Sequence, residues 1–197
     1  MELLQEVADL SAYLAADEAI DHRHPLVRGT AARLAGQVAD SPAYAHAAFE
    51  YVRDEIPHSA DSGDPRVTWR ASDVLAKRTG ICHAKAHALA ALLRAEDIPA
   101  ALCYQRLEYD GAGGCCLHAL VAVRLGGAWH RQDCRGNKEG VDARFSLDGE
   151  RLAFVPDEGR GERDHPTLYA APLPGVLRVL RKAPDRSRLW EALPDAL

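Results

Sequence analysis

The chain has 197 residues, enough for one globular domain with a buried core, and 47% of them are hydrophobic against 27% charged, a balance that excludes wholesale disorder. Its 24 basic and 29 acidic side chains give a formal net charge of −5, so we do not expect the basic surface that nonspecific nucleic-acid binding needs. No apolar run approaches the roughly 20 residues of a membrane-spanning helix and the N-terminus lacks a secretion-signal pattern, so we expect a cytoplasmic protein without a membrane partner.

Hydrophobic periodicity predicts that residues 1–57 form a helical N-terminal part. Leucine and valine recur at helical spacing over residues 3–14 and again in the following segments. Prolines at Pro25 and Pro42 follow residues that suit helix N-caps, so each is predicted to lie in the first turn of a helix. Pro57 is predicted to end the helical part because proline cannot continue a helix.

The most regular helix is predicted from Cys82 to Ala95, after a short helix over residues 72–77 and a break at Thr79-Gly80. The pattern then changes to strands over 100–109, 116–125 and 128–134, joined by turns at 110–114 and 126–127. Residues 141–197 are rich in turns and prolines, with short helices predicted over 176–183 and 186–193. Helices followed by a meandering sheet indicate a single α+β domain over residues 1–197.

Cys82 is placed where a reactive cysteine would be expected. The N-terminus of a helix presents unpaired N–H groups and a partial positive charge, which favour a thiolate over a thiol. Gly80 allows close approach of the backbone just before it. Cys82 also belongs to the apolar stripe of its own helix, so a packing role is an equally good interpretation at this point.

A cysteine nucleophile needs a base, and the base needs a group that orients it. If Gly126-Gly127 is a two-residue turn, His118 and Asp133 are diagonal neighbours on one face of the sheet, roughly 7–8 Å apart between backbones. An aspartate at that distance can hold an imidazole nitrogen. A three-residue turn would break the parity, and the alternative interpretation is a surface histidine beside a surface acid.

Three segments resemble transglutaminase-like proteins. The stretch from Thr79 to Ala95, continued by Ile98-Pro99-Ala100, resembles the family core in which Gly-x-Cys opens a helix. Leu117-His118-Ala119-Leu120 resembles its histidine strand, and Trp129 to Asp133 its aspartate strand. The likeness covers about residues 70–140 and implies a papain-like α+β fold with a Cys82–His118–Asp133 triad. More narrowly, two further segments resemble small stand-alone bacterial members, namely Cys103 to Leu107 and Asp133 to Lys138.

The resemblance implies an enzyme that transfers an acyl group from an amide to Cys82, forming a thioester that water or an amine then resolves. The expected partner is a peptide, a protein or a small amide, and the chemistry requires no metal or organic cofactor. Four further residues are weaker candidates for substrate binding or for the oxyanion hole: His58, Gln105, Arg106 and Arg135. For His58, capping of a turn is the favoured alternative.

Two other functions remain possible at this stage. A noncatalytic member of the same fold would bind a peptide or a partner protein. A zinc-binding protein would use His83 and His87, four residues apart on one helix, with cysteines such as Cys115 and Cys116 as further ligands. A solvent-facing side of the helix explains His83 and His87 more simply, and adjacent cysteines on a strand point to opposite faces.

Overall fold

The computed structural model describes residues 1–108 and 114–197. Its helices are α1 (Pro25–Ala35), α2 (Ser41–Glu55), α3 (Ser59–Ser62), α4 (Ala71–Lys77), α5 (Cys82–Ala95), α6 (Pro174–Lys182) and α7 (Arg186–Ala192). Its strands are β1 (Leu4–Gln5), β2 (Ala100–Glu108), β3 (Cys115–Leu125), β4 (Ala128–Gln132), β5 (Arg163–Asp164) and β6 (Thr167–Leu168). The mixture of helices with an antiparallel sheet confirms the α+β fold class. Of the turn expected at 110–114, residues 110–113 lie outside the described residues.

The predicted helix starts are confirmed by their capping residues. His24 precedes α1 and its side chain accepts a hydrogen bond from the backbone of Leu26. Asp40 caps α2 by accepting from the backbone N–H of Ala43 at 2.8 Å. Both caps satisfy amide groups that have no partner within the helix. Proline then occupies the first turn in each case, where its missing N–H costs no hydrogen bond.

The expected helix over residues 3–14 is wrong. Leu4 and Gln5 form β1, which pairs in parallel with β6, and a 3₁₀ helix spans Leu10–Leu14. Asp9 starts that second element by accepting from the backbone of Ser11. Pairing with a strand from the far end of the chain overrides the local helical spacing, and Leu3 and Leu10 pack against a cluster that includes residues of the sheet rather than forming a helical stripe.

The main sheet has the strand order β4-β3-β2-β5. The predicted two-residue turn between β3 and β4 is confirmed, since Leu125 pairs with Ala128. Gly126 and Gly127 adopt φ values of 58° and 82°, a pair of left-handed conformations that glycine tolerates and that matches the twist of the flanking strands. The register expected for the second and third predicted strands therefore holds.

β4 is shorter than the predicted strand over 128–134, because pairing with β3 ends at Gln132 opposite Val121. The edge of β3 beyond this point is open to other groups. His83 in α5 reaches the backbone oxygen of Leu117 at 2.9 Å, and the backbone N–H of Leu117 donates to the oxygen of Pro194. The early end of β4 thus makes room for the start of α5 against β3.

Helix α5 is the centre of the core. Every residue from Cys82 to Arg94 is buried, and α1, α2, α4 and two strands pack around it. The expected solvent-facing side bearing His83, Lys85 and His87 is wrong, because these side chains are at most 1% exposed. Alanines between the larger side chains let neighbouring elements approach the helix on all sides. Among the described residues, no helix is long and apolar enough to cross a membrane.

Candidate functional site

Cys82 is the first residue of α5. The preceding residue, Ile81, is the N-cap, and its apolar side chain makes no capping hydrogen bond. The N–H groups at the start of α5 are therefore left without a side-chain acceptor, as the first amides of a helix are before capping. A Cβ on Gly80 would lie 3.1 Å from the Ala84 Cβ and the Thr68 Oγ1, so glycine permits this tight entry. The sulfur borders an open cavity.

His118 on β3 links the sulfur to a carboxylate. Its Nε2 lies 2.8 Å from Asp133 Oδ2. The imidazole and the Cys82 side chain also interact, because each shifts the pKa of the other toward its charged form. Phe154 packs edge-on against the ring, with centroids 5.2 Å apart. The structure thus brings together the three residues that the sequence predicted as a triad.

Asp133 follows directly after the last residue of β4 and is fully buried. Besides His118, its carboxylate accepts from the backbone N–H groups of Arg135 at 3.1 Å and Ala153 at 3.1 Å. Burial alone would raise the pKa of this carboxyl, but the His118 imidazolium and the hydrogen bonds lower it below its ordinary value. Asp133 is therefore a fixed anion that orients the imidazole.

The ionisation of the cysteine and the histidine is coupled. Burial would raise the pKa of the Cys82 thiol, whereas the charge and hydrogen bond of His118 and the N–H of Ala119 lower it below its ordinary value. Burial would lower the pKa of His118, but Asp133 and the Cys82 thiolate raise it to about 10. The two groups therefore favour each other's charged forms, the thiolate and the imidazolium.

The cavity above the sulfur has a volume of about 550 Å³. Its walls mix apolar and charged side chains from the start of α5, the ends of β2 and β3, the segment after β4 and α7. Phe154 and Val155 form an apolar edge, and Val155 is 90% exposed. A space of this size accommodates a peptide side chain together with part of its backbone, and exceeds what one carboxamide group needs.

His58 also lines this cavity. It occupies the N-cap position of α3, yet its side chain makes no capping hydrogen bond, so the favoured turn-capping role for the imidazole is not what the structure shows. Backbone bridging to Gly80 holds the residue beside the start of α5. The ring meets Trp190 edge-on with centroids 6.3 Å apart.

Arg135 reaches the cavity wall, but its guanidinium is already paired. Nη1 and Nη2 donate to the two oxygens of Asp61 at 2.6 and 3.0 Å. The guanidinium also lies over the ring of Phe154, at 5.7 Å from its centroid. The arrangement braces the wall that contains Asp133 and Phe154, and the guanidinium is not available as an unpaired anion-binding group.

The structure places Gln105 and Arg106 away from the cavity. Gln105 is fully buried and donates to Asp164 Oδ1 at 3.0 Å, on the strand beside His118. Arg106 donates to the backbone oxygens of Gly161 and Asp195. Both side chains bind the segments that follow β4. Neither is among the residues that line the cavity beside the sulfur.

The histidines and cysteines weighed as zinc ligands have separate surroundings. His83 contacts the Leu117 oxygen, and Nδ1 of His87 lies 2.7 Å from the Trp69 oxygen. Within residues 1–108 and 114–197, no three His, Cys, Asp or Glu side chains converge as a metal-binding group. The residues present therefore do not form the four-ligand arrangement of a structural zinc site.

Sequence reasoning missed three groups that shape the site. Phe154 and the Ala153 N–H come from a stretch with no secondary structure, and no periodicity indicates them. Lys85, one turn after Cys82, is fully buried and donates to the backbone oxygens of Arg53 and Ile56. Burial lowers its pKa to about 8. The sequence signal for a buried Lys85 was its position among alanines in a long apolar helix.

Comparisons with known proteins show the family and the fold. The transglutaminase-like superfamily matches residues 28–134. A solved structure of a candidate cysteine protease from Cytophaga hutchinsonii superposes with a TM-score of 0.55 at 21% identity, covering 66% of this chain and 43% of the other.

The periplasmic domain of TgpA from Pseudomonas aeruginosa gives a TM-score of 0.48 at 25% identity, covering 64% of this chain and 47% of that domain. The chain thus spans less than half the length of these solved structures. A comparison with curated proteins finds no match.

Proposed function

The chain belongs to the transglutaminase-like superfamily, and on that premise we propose that it is a cysteine-dependent acyl-transfer enzyme acting on amides. The observation that carries the proposal is the Cys82–His118–Asp133 constellation at the border of an open cavity. A thiolate at a helix start, an imidazolium beside it and a buried carboxylate behind the imidazolium are the parts that this chemistry needs.

In the first half-reaction the Cys82 thiolate forms a bond to the carbonyl carbon of the amide. The electron pair of the C=O double bond moves to oxygen, where the N–H of Cys82 supplies a hydrogen bond at the start of α5. His118 then donates its proton to the amide nitrogen as the C–N bond breaks. An amine leaves, and the acyl group remains on sulfur as a thioester.

In the second half-reaction His118 acts as a base. It takes a proton from water or from an acceptor amine, whose oxygen or nitrogen attacks the thioester carbon. The C–S bond breaks, the thiolate returns and His118 is again imidazolium. Water gives a hydrolase acting as a protease, amidase or deamidase, and an amine gives a transferase. Each proton movement uses a group of this chain, so the mechanism requires no metal or organic cofactor.

The proposed substrate is a peptide or protein amide, or a glutamine-like carboxamide. The apolar edge formed by Phe154 and Val155 supports a peptide, because apolar side chains next to the reacting amide would bury surface there.

We also propose a reducing compartment such as the cytoplasm. Cys82, Cys103, Cys115 and Cys134 are free thiols, which is typical of such compartments, and fractionation of the producing cells tests this.

Intact-mass spectrometry after incubation with pools of peptides and small amides tests the function. We expect the wild-type protein to gain the mass of an acyl group, and Cys82→Ala to gain none. Cys103→Ala is the matched control, because Cys103 is a fully buried cysteine on β2, and we expect it to keep the adduct. Peptide binding without any adduct in the wild-type protein would contradict the proposal and favour the noncatalytic binding module.

A further inference from the structure

We propose that His58 is a second oxyanion donor, giving a hydrogen bond through Nε2–H to the oxygen that becomes negative when Cys82 attacks a carbonyl carbon. This inference rests on the acyl-transfer function proposed above and adds a catalytic residue to it. The supporting observations are the position of His58 relative to Cys82, the free state of its imidazole and the charges around it.

The fold ties His58 to the same helix start as the nucleophile. The backbone of His58 bridges to Gly80, and the N–H of Ser59 donates to the Gly80 oxygen at 3.1 Å. From within α5, Lys85 donates to the oxygens of Ile56 and Arg53, which fixes the chain just before His58. The imidazole and the Cys82 sulfur consequently border one cavity from two segments joined by hydrogen bonds.

Within residues 1–108 and 114–197, the imidazole of His58 makes no hydrogen bond that would explain its presence. It does not cap α3. Its Nδ1 is buried without a partner among the described residues, whereas Nε2 has neither a partner there nor complete burial. Because the residue is 5% exposed and lines the cavity, Nε2 is the ring nitrogen that a bound substrate can reach. The edge-on packing of Trp190 fixes the ring plane.

The charges around His58 keep its imidazole neutral. Burial, then the positive charge of Arg135, lowers its pKa to about 3; Lys85 and the His118 imidazolium act in the same direction, and Asp61 opposes them. A neutral imidazole carries one proton. On Nδ1 that proton would lack an acceptor among the described residues, whereas on Nε2 it is directed to the cavity. The neutral tautomer that carries its proton on Nε2 is therefore the favoured one. It can donate a hydrogen bond, but it has no second proton to give to the Cys82 thiolate.

During the proposed step His58 keeps its proton. The S–C bond forms, the C=O electron pair moves to oxygen, and the oxyanion accepts from Cys82 N–H and His58 Nε2–H. When the C=O bond re-forms, the C–N bond breaks and the leaving nitrogen takes its proton from His118. His58 thus stabilises the charge that develops only in the transition state.

The test compares two reactions of Cys82 that differ in whether an oxyanion forms. Acylation by p-nitrophenyl acetate, followed as a burst of p-nitrophenolate, passes through an oxyanion and needs no known natural substrate. Alkylation by iodoacetamide displaces iodide directly and forms none. Both rates are measured in the wild-type protein and in His58→Phe, His58→Gln and His130→Phe, with Cys82→Ala as the background. His130→Phe is the matched control because His130 is on β4, outside the cavity.

We expect His58→Phe to slow acylation roughly 100-fold, the effect typical of losing one oxyanion donor, while alkylation stays within about twofold. The phenylalanine of His58→Phe keeps the ring contact with Trp190. His58→Gln retains an N–H donor, so its acylation rate should be at least tenfold higher than that of His58→Phe. His130→Phe should change neither rate.

Unchanged acylation in His58→Phe overturns the inference, and so does a parallel loss of acylation and alkylation, which would mean that His58 acts on the thiolate or on folding. Equal losses in the phenylalanine and glutamine variants also overturn a donor role. A normal burst in the wild-type protein together with no acyl adduct from any amide would contradict the proposed function alone. A wild-type burst no larger than that of Cys82→Ala would overturn both.

Discussion

At the scale of single residues, two opposing effects act on the Cys82 sulfur. Burial is the largest single effect and disfavours its charge, but the charge and hydrogen bond of the His118 imidazolium together with the Ala119 N–H outweigh it. The imidazolium is itself maintained by Asp133, which two backbone N–H groups hold in place. The reactivity of the cysteine therefore depends on a carboxylate that does not touch it.

Asp133→Asn should lower the pKa of His118 from about 10 toward or below its ordinary value of 6.5, because burial lowers that pKa and the carboxylate is the largest of the effects that raise it. A His118 that is neutral near pH 7 lacks the proton for the leaving amine, so acyl transfer should fall roughly 10²–10⁴-fold. NMR titration of ¹⁵N-labelled histidine measures the pKa directly.

The control for this variant is Asp64→Asn, which removes a carboxylate held by Arg66 rather than by a histidine. In Asp64→Asn the pKa of His118 should stay near 10. An unchanged His118 titration in Asp133→Asn would show that the carboxylate does not set the charge of the imidazole.

Residue identity was the most predictable part of the site. A cysteine at a helix start and a two-residue glycine turn indicated that His118 and Asp133 share one face, and the resemblance to transglutaminase-like proteins implied that the three residues form a triad. His58 was named, but its favoured role was wrong, because capping was inferred from position and the side chain makes no cap bond. Phe154 had no sequence signal, since its place depends on how an irregular segment crosses the sheet.

At the scale of elements, Arg94 connects the end of α5 to three separate segments. Its guanidinium donates to the backbone oxygens of Ala15 at 2.6 Å, Ala100 at 2.7 Å and Ala170 at 2.7 Å. The side chain is 2% exposed. The 3₁₀ helix, the start of β2 and the segment after β6 are thus fixed by one side chain that has no carboxylate partner among these contacts.

Arg94→Ala should lower the free energy of unfolding by about 3 kcal/mol or more, because it leaves several buried carbonyl groups without donors. Urea denaturation followed by circular dichroism measures this. Arg33→Ala is the matched control on α1, where the guanidinium lies over the ring of Tyr51 at 5.3 Å, and its cost should stay below about 1 kcal/mol. Equal costs for the two variants would contradict the role assigned to Arg94.

Elements with strong local signals were predicted well. The starts of α1 and α2, both ends of α5 and the β3–β4 turn follow from caps, prolines and glycines that act over a few residues. The segment before Leu14 and the end of β4 were wrong because distant partners decide them. β1 depends on β6, and β4 stops where the start of α5 takes its place beside β3.

At the scale of the whole molecule, the buried histidines link stability to pH. His58 and His83 have pKa values lowered to about 3, and burial also lowers that of His87. Between pH 6.5 and about 3 the unfolded chain binds protons at His58 and His83 and the folded chain does not. Stability is therefore lost as pH falls through this window, with up to about 1.4 kcal/mol per pH unit for each histidine.

We expect urea midpoints to fall steeply from pH 7 to pH 4, and the slope to decrease by about one proton in His83→Gln, which removes one titrating group and keeps a donor for Leu117. Val74→Ala is the control, because it removes buried apolar volume but no titrating group, so it should lower stability by a similar amount at each pH. A wild-type stability that does not change between pH 7 and 4 would contradict the burial of neutral histidines.

The rate at which iodoacetamide alkylates Cys82, measured against pH by mass spectrometry of each cysteine peptide, tests the central claim most directly. The paired thiolate predicts that Cys82 reacts much faster than the other four cysteines at neutral pH, with an inflection clearly below the ordinary cysteine pKa of about 8.5. Slow alkylation of all five cysteines at similar rates, or an inflection at that ordinary value for Cys82, would contradict it.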